Sequence, residues 1–309
     1  MKLRFKLNHY YQGQNSPFLY AADAGLFAQA GIDITFIEGF SSSQVTRALL
    51  EDEADLGFGD VTSVLEHAIR SGTAPIAALL PIYVRSPCAI AYQRRETPLQ
   101  LRDLDGARLC GPQGDTSARL LPLLLARNGL AGMRYDMQIV SPAERDQLMA
   151  DHAVLGATCF DATIKFAMPM RGHDSSGLQF LYFADHGLDI YSSAVVAKRS
   201  LLDAHPGLAQ TLSQIIRQAW DDCHTDPGRG IVAVLARQPD ADPLIIGAQL
   251  EWVLTHQVYH PSQPPFVFDR SSTRWADTIC VAEYATTGAM APTAQTISLA
   301  EATAATEPS

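Results

Sequence analysis

The chain has 309 residues, of which 47 % are hydrophobic and 18 % charged, a composition that excludes a disordered, collagenous or coiled-coil protein and, by length, predicts about two domains. Lys and Arg number 23 against 33 Asp and Glu, a formal charge of −10. No basic run is present that would neutralise a phosphate backbone, so nucleic acid and anionic membrane surfaces are excluded as partners.

The longest apolar stretch, around residues 74–82, is far shorter than the ~20 residues of a membrane span, and no membrane insertion is expected. The opening MKLRFKLNHYYQGQ has no apolar h-region and no small-residue cleavage site, so it reads as a cytoplasmic or already trimmed chain. Cys88, Cys110, Cys159, Cys223 and Cys280 are odd in number and scattered, with no CxxC pair or zinc spacing; they read as lone buried thiols.

In chain order, residues 3–7 alternate apolar and polar with the period of a strand, and the polar run 8–16 follows as a loop. Pro17 opens a helix whose apolar face continues until Gly31, and residues 32–37 form the next strand. A hydroxyl-rich turn, Gly39 to Ser43, leads into a helix over 44–51, with a serine as its N-cap. A short buried strand over 54–59 ends at Asp60, and a helix over 62–71 follows.

The apolar runs 74–82 and 88–93 bracket Pro87, which cannot donate to an inner ladder and marks a strand that changes domain. The strand 107–110, the loop 111–117 and the helix 118–128 repeat the earlier logic of strand, hydroxyl loop and helix. Ser141-Pro142-Ala143-Glu144 is a capping box, 153–161 is a small-residue strand ending in an acid, and 178–183 is another strand. Residues 189–197 alternate again and carry the chain back into the first domain. Helices are expected over 206–220, 231–237 and 243–257, and the residues from Pro292 onward lack periodicity and predict a frayed tail.

The run Tyr20-Ala21-Ala22-Asp23-Ala24-Gly25-Leu26-Phe27-Ala28-Gln29-Ala30-Gly31-Ile32-Asp33-Ile34 resembles the opening of the nitrate-, sulfonate-, taurine- and thiamine-precursor-binding proteins of ABC transporters. Residues 39–45, the acid-rich strand 51–60 and Asp103-Leu104-Asp105-Gly106 agree with that family in order and spacing. The resemblance extends over residues 1 to about 220. It implies an α/β chain with the two-lobe type II periplasmic-binding-protein fold: two mixed sheets flanked by helices, two crossover strands, and a small molecule held between lobes that close on it. The lobes would be 1–86 with 190–291, and 87–189, leaving 292–309 as a disordered tail.

In such a fold ligands bind at the carboxyl ends of strands, beside helix N-termini. Ser41, Ser42 and Ser43 combine hydroxyl donors with a helix start that favours an anion. Gly114, Asp115, Thr116 and Ser117 offer the same geometry in the second lobe, where Asp115 either caps its helix or meets a ligand donor. His9, Tyr10 and Tyr11 follow the first strand and suit a planar ligand. Thiamine-precursor binders carry Trp in place of His9 and His in place of Asn15, a departure that argues against a pyrimidine. Asp60 serves a ligand donor or its own helix, and Arg85 offers a bidentate clamp for an anion. Asp161 and Tyr191 stand at a strand end and at the second crossing.

His256 and His260 are four residues apart, but Pro261 follows and no acid ligand is near, so no metal is assigned. No cofactor is called. The expectation is a monomeric solute-binding protein for a small anionic or aromatic molecule, working with an ABC permease and ATPase in the periplasm. The alternative is a cytoplasmic enzyme acting on a pyrimidine or aromatic acid, for which the sequence offers no cysteine motif and no GxSxG elbow.

Overall fold

A computed structural model describes residues 1–304 apart from Phe40, Ser262 and Met290, and of Ser42 and Ser43 the backbone only. β1 (Lys2–Lys6) turns Leu3 and Phe5 inward, as its period-2 pattern requires. α1 (Ser16–Asp23) begins with Pro17 in its first turn. The single helix expected up to Gly31 is two: Gly25 takes the left-handed backbone at φ 73°, and α2 (Leu26–Gln29) restarts beyond it. Next come β2 (Asp33–Ile37), α3 (Ser42–Leu50), β3 (Leu56–Asp60), α4 (Val61–Ser71) and β4 (Ile76–Pro81).

β5 (Cys88–Gln93), β6 (Arg108–Pro112), α5 (Thr116–Arg127), β7 (Asp136–Val140), α6 (Pro142–Ala150), β8 (Gly156–Phe160), α7 (Asp161–Met170) and β9 (Leu178–Tyr182) make up the middle of the chain. The capping box starts α6 as expected, with Ser141 Oγ accepting from the Glu144 N–H at 3.2 Å. β10 (Ser193–Lys198) is followed by α8 (Arg199–Ala204), α9 (Leu208–Thr225), α10 (Gly228–Leu235) and α11 (Pro243–Val253). α11 runs on into a π-helical turn over Leu254–Val258. α12 (Thr273–Thr287) and α13 (Ala294–Thr303) end the described chain.

Two compact units result: Met1–Arg85 with the chain from Tyr191 onward, and Ser86–Ile190. The first holds a five-stranded sheet in the order β2-β1-β3-β10-β4, with β1 parallel to β2 and β3, and β10 antiparallel to both of its neighbours. The second repeats the plan as β7-β6-β8-β5-β9, where β5 is the antiparallel insertion. In each unit the antiparallel strand, on which the chain returns to the first unit and enters the second, occupies the fourth position, between the third and fifth strands.

The first unit packs an aromatic cluster in which the Phe18 ring lies 5.0 Å from Phe5, 5.1 Å from Phe58 and 5.7 Å from Trp220. Each such side chain, fully buried, stabilises by about 1.5–3 kcal/mol. The second unit buries Met149, Ile164 and Met168 from α6 and α7 against its sheet.

The tail expected to fray from Pro292 is instead helical over α13. Thr293 caps it by accepting from the Thr296 N–H at 3.1 Å, and Ala300 and Ala304 are buried in the core of the first unit. Alanine carries high helix propensity, and its small side chain lets a helix dock closely without the large apolar residues that a periodicity search looks for. Thr296 Oγ1 donates to the buried Glu283 carboxylate at 2.5 Å. Thr296→Val, which keeps the shape and removes that donor, should lower the unfolding free energy by about 1–3 kcal/mol in urea titration. A wild-type midpoint would mean that this helix is not docked.

Candidate functional site

Because β1, β2 and β3 are parallel and β10 runs against them, three strand carboxyl ends and the start of β10 share one edge of the first sheet. The loop after β1 is fastened there from below. Asn15 is buried, its Nδ2 donating to Tyr10 O at 2.9 Å while its Oδ1 accepts from the Gln12 N–H at 3.2 Å. The Gly13 N–H donates to Gln249 Oε1 of α11 at 2.9 Å. These bonds position His9, Tyr10 and Tyr11 together, with the His9 and Tyr10 rings edge to face at 4.2 Å.

The Gly39 N–H donates to His9 O at 3.2 Å, and the Tyr11 N–H donates to Glu38 Oε1 at 2.8 Å. Burial holds the His9 imidazole below the ordinary value of 6.5, against an upward pull from Glu38. Burial first, then Glu38, pushes the Tyr11 phenol up. The buried atoms Asn8 Oδ1 and His9 Nδ1 have no hydrogen-bond partner, and neither has Ser192 Oγ just before β10.

Of the other predicted residues in this unit, Ser41 takes the N-cap position of α3 in extended backbone without a side-chain cap bond, so the expected serine cap is not made by its hydroxyl. The side chains of Ser42 and Ser43 lie outside the described residues. Asp60 is buried as the cap of α4, accepting from the Thr62 N–H at 3.3 Å, Thr62 Oγ1 at 2.5 Å and Ser63 Oγ at 3.3 Å. Of its two sequence readings, the helix cap is the one built. Arg85 follows β4, half-buried, its N–H reaching Gln257 O at 3.3 Å.

Tyr191 is a correction. It is buried in the core beside Phe268 and Trp275, and its hydroxyl donates to Val267 O and accepts from the Asp269 N–H. Its place at the second crossing suggested a ligand contact; the ring turns into the core of the first unit.

In the second unit Gly114 takes the left-handed backbone at φ 77°, with open space around its α-carbon. Asp115 caps α5, accepting from the Ala118 N–H at 2.8 Å, and burial pushes its carboxyl up against that bond. Thr116 begins α5, half-buried. Ser117 turns inward, its hydroxyl donating to Cys159 O at 2.7 Å, so it serves packing within the unit. Asp161 opens α7, accepting from the Ala162 N–H at 2.6 Å and Tyr182 OH at 2.7 Å.

Sequence reasoning missed three residues. Asn8 and Ser192 carry partnerless buried atoms, and the only signal for them was their place at a strand end. Arg145 lies buried in α6, its Nε and Nη2 on Asp146 Oδ1 at 2.8 and 2.7 Å; it hid inside a segment read only as a helix start.

No group of three metal-ligating side chains occurs among the described residues. His256 stacks on Trp252 at 4.0 Å, and its Nδ1 meets Trp252 O at 3.0 Å. All five cysteines are buried; burial pushes the Cys110 thiol up to about 11, Cys223 to about 12 and Cys159 well above its usual value. No described helix is long and apolar enough to cross a membrane. A cavity of about 390 Å³ opens elsewhere in the first unit, lined by Arg270, Ser272, Trp275, Ile279 and Ile297, and includes none of the predicted residues.

A family model described as NMT1/THI5-like matches residues 12–229. Among solved structures, the periplasmic aliphatic sulphonate-binding protein SsuA of Escherichia coli superposes with a TM-score of 0.73 at 16 % identity, covering 96 % of each chain. The alkanesulfonate-binding protein SsuA of Xanthomonas axonopodis pv. citri, bound to MOPS, gives 0.66 at 19 % identity over 97 % of each chain. The periplasmic nitrate-binding protein NrtA of Synechocystis gives 0.62 at 12 % identity over 98 % of this chain and 86 % of its own. These likenesses show the expected periplasmic-binding-protein fold. No curated protein matches the chain.

The depressed His9 value has a consequence for stability. The unfolded chain takes up the proton first, so this contribution is full above about pH 6.5 and is lost as pH falls toward the lower folded value. His9→Gln should therefore flatten the pH dependence of the unfolding free energy over that window, while NMR titration of the wild-type ring gives a midpoint below 6.5. A ring that titrates at or above the ordinary value would contradict the burial assigned to it.

Proposed function

The chain belongs to the NMT1/THI5-like family, and on that premise we propose that it is a solute-binding protein, one that takes up a small organic molecule and delivers it unaltered to an ABC-type permease and its ATPase in the periplasm. The observation that carries this reading is the family match over residues 12–229, a span that includes the loops after β2, β3, β6 and β8 and begins just beyond His9, Tyr10 and Tyr11. Its structural relatives, bearing the names of sulfonate- and nitrate-binding proteins, support it.

The geometry fits binding in preference to chemistry. Each sheet presents polar groups and helix N-termini along one edge, where desolvated hydrogen bonds supply affinity. A nucleophilic thiol needs a depressed pKa, whereas the values of Cys110, Cys159 and Cys223 are all raised. Among the predicted residues, His9, Tyr10, Tyr11, Ser41, Arg85, Gly114 and Thr116 remain the proposed ligand contacts. Asp60 in the first unit and Asp115 and Asp161 in the second serve as helix caps and first-turn acceptors of their own units.

Calorimetric titration with a small-molecule library should find a ligand that is recovered chemically unchanged, and Thr116→Val should weaken its binding by about 1–3 kcal/mol if one buried donor is lost. Conversion of that ligand into product, or wild-type affinity in the variant together with Ser41→Ala, would overturn the reading or its site.

A further inference from the structure

We infer that the cavity of about 390 Å³ between α12 and α13 is a second binding site, built for a zwitterionic α-amino acid with an apolar side chain, its carboxylate on Arg270 and its ammonium toward Glu301. None of the proposed ligand contacts lines this cavity, so the inference stands apart from the solute-binding reading.

The cavity follows from the way α13 docks. It runs back along α12: Thr296, early in α13, bonds Glu283, late in α12, while Ala304, just past α13, accepts from Arg270 Nη2, just before α12, at 3.1 Å. Ala300 and Ala304 seat α13 in the core, and Ile297 and Glu301, four residues apart and so on one face, are left outside it, Ile297 being 41 % exposed. Across from them α12 presents Trp275 and Ile279, also four apart and both buried. Phe268 holds the Trp275 ring edge to face at 6.0 Å.

The two serines that line the cavity are committed within the chain. Ser271 Oγ donates to Asp269 Oδ1 at 2.6 Å, and Ser272 Oγ donates to Asp269 O while accepting from the Trp275 N–H at 3.2 Å. The Asp269 carboxyl, held below its ordinary value by the Ser271 bonds, does not line the cavity. One cation and one anion are thus the groups that select a ligand. A guanidinium carries five N–H donors in a fixed fork, so Arg270 can hold Ala304 and a carboxylate together. The Glu301 carboxylate only accepts, and an ammonium supplies it with donors. A simple anion is repelled by Glu301 and a simple amine by Arg270, whereas a zwitterion is matched at both ends. The volume falls within the roughly 300–1,000 Å³ of small-molecule sites, and the aromatic and aliphatic walls suit an apolar side chain.

The test is calorimetric titration of the full chain with L-phenylalanine and L-leucine, and with 3-phenylpropanoate and 2-phenylethylamine, which each keep one charge of the first. The variants are Arg270→Gln, Glu301→Gln and Ala276→Leu; the last fills the cavity from an exposed helix position and should keep the wild-type melting temperature, which separates lost binding from lost folding. At least one amino acid should bind, at least tenfold more tightly than either singly charged analogue and at least tenfold more weakly in each variant. No binding by either amino acid, analogues that bind as tightly, or wild-type affinity in the three variants overturns the inference. Affinity lost in Thr116→Val and kept in the three variants would place the amino acid at the proposed ligand contacts, which overturns this site and leaves the solute-binding reading standing. A dimer in sedimentation that Ala276→Leu disperses, with no probe bound, gives the cavity to a second copy of the chain and overturns it as well.

Discussion

Strand polarity is the constraint from which the rest of the structure follows. When three strands run parallel, their carboxyl ends must all deliver loops on the same side, and each loop then leads into a helix whose first N–H groups lack intrahelical partners. The antiparallel insertion of β10 in the first unit and β5 in the second brings one more chain entry to that same edge. Polar groups are thereby gathered along one margin of each sheet without any need for a long functional loop. The aromatic and aliphatic residues behind them, such as Phe5, Phe58 and Trp220, bury completely because the polar work is done at the edge.

How those helix starts are satisfied sets the electrostatics. Asp60 caps α4, Asp115 caps α5, and Asp161 accepts within the first turn of α7. Three helix N-termini that could attract an anion are thus already matched by the chain's own carboxylates, and an anionic ligand gains little from them. Burial raises the Asp115 carboxyl despite its capping bond.

Much of the fold was legible because local chemistry and tertiary packing agree. Alternation marked β1, Pro17 marked the start of α1, and Ser141 with Glu144 marked α6. Where they diverge, the sequence misleads. Gly25 and Gly31 look alike, yet the left-handed turn at Gly25 already divides the helix. The alanine- and threonine-rich end shows no apolar stripe, yet α13 docks through Ala300 and Ala304 because small residues permit close approach. Of the candidate site, the loops were readable and the roles of individual side chains were not. Ser117 and Tyr191 differ from true edge residues only in the direction they face, and direction depends on which helix lies behind: Cys159 O accepts from the one, while Phe268 and Trp275 enclose the other.

The first loop shows why a binding edge must be held stiff before a ligand arrives. Asn15 and Gln249 lie beneath it and together bind the Tyr10 carbonyl and the N–H groups of Gln12 and Gly13, so the segment above them cannot relax to bury or solvate its own polar side chains. Asn8 and His9 consequently keep atoms without partners, each at a cost of about 1–3 kcal/mol. A floppy loop would turn those atoms toward water and lose nothing. The strain of leaving them unpaired is tolerable only because α11, from the far end of the chain, fixes the loop in place, and the same fixation removes the ordering entropy that a ligand would otherwise have to overcome on binding.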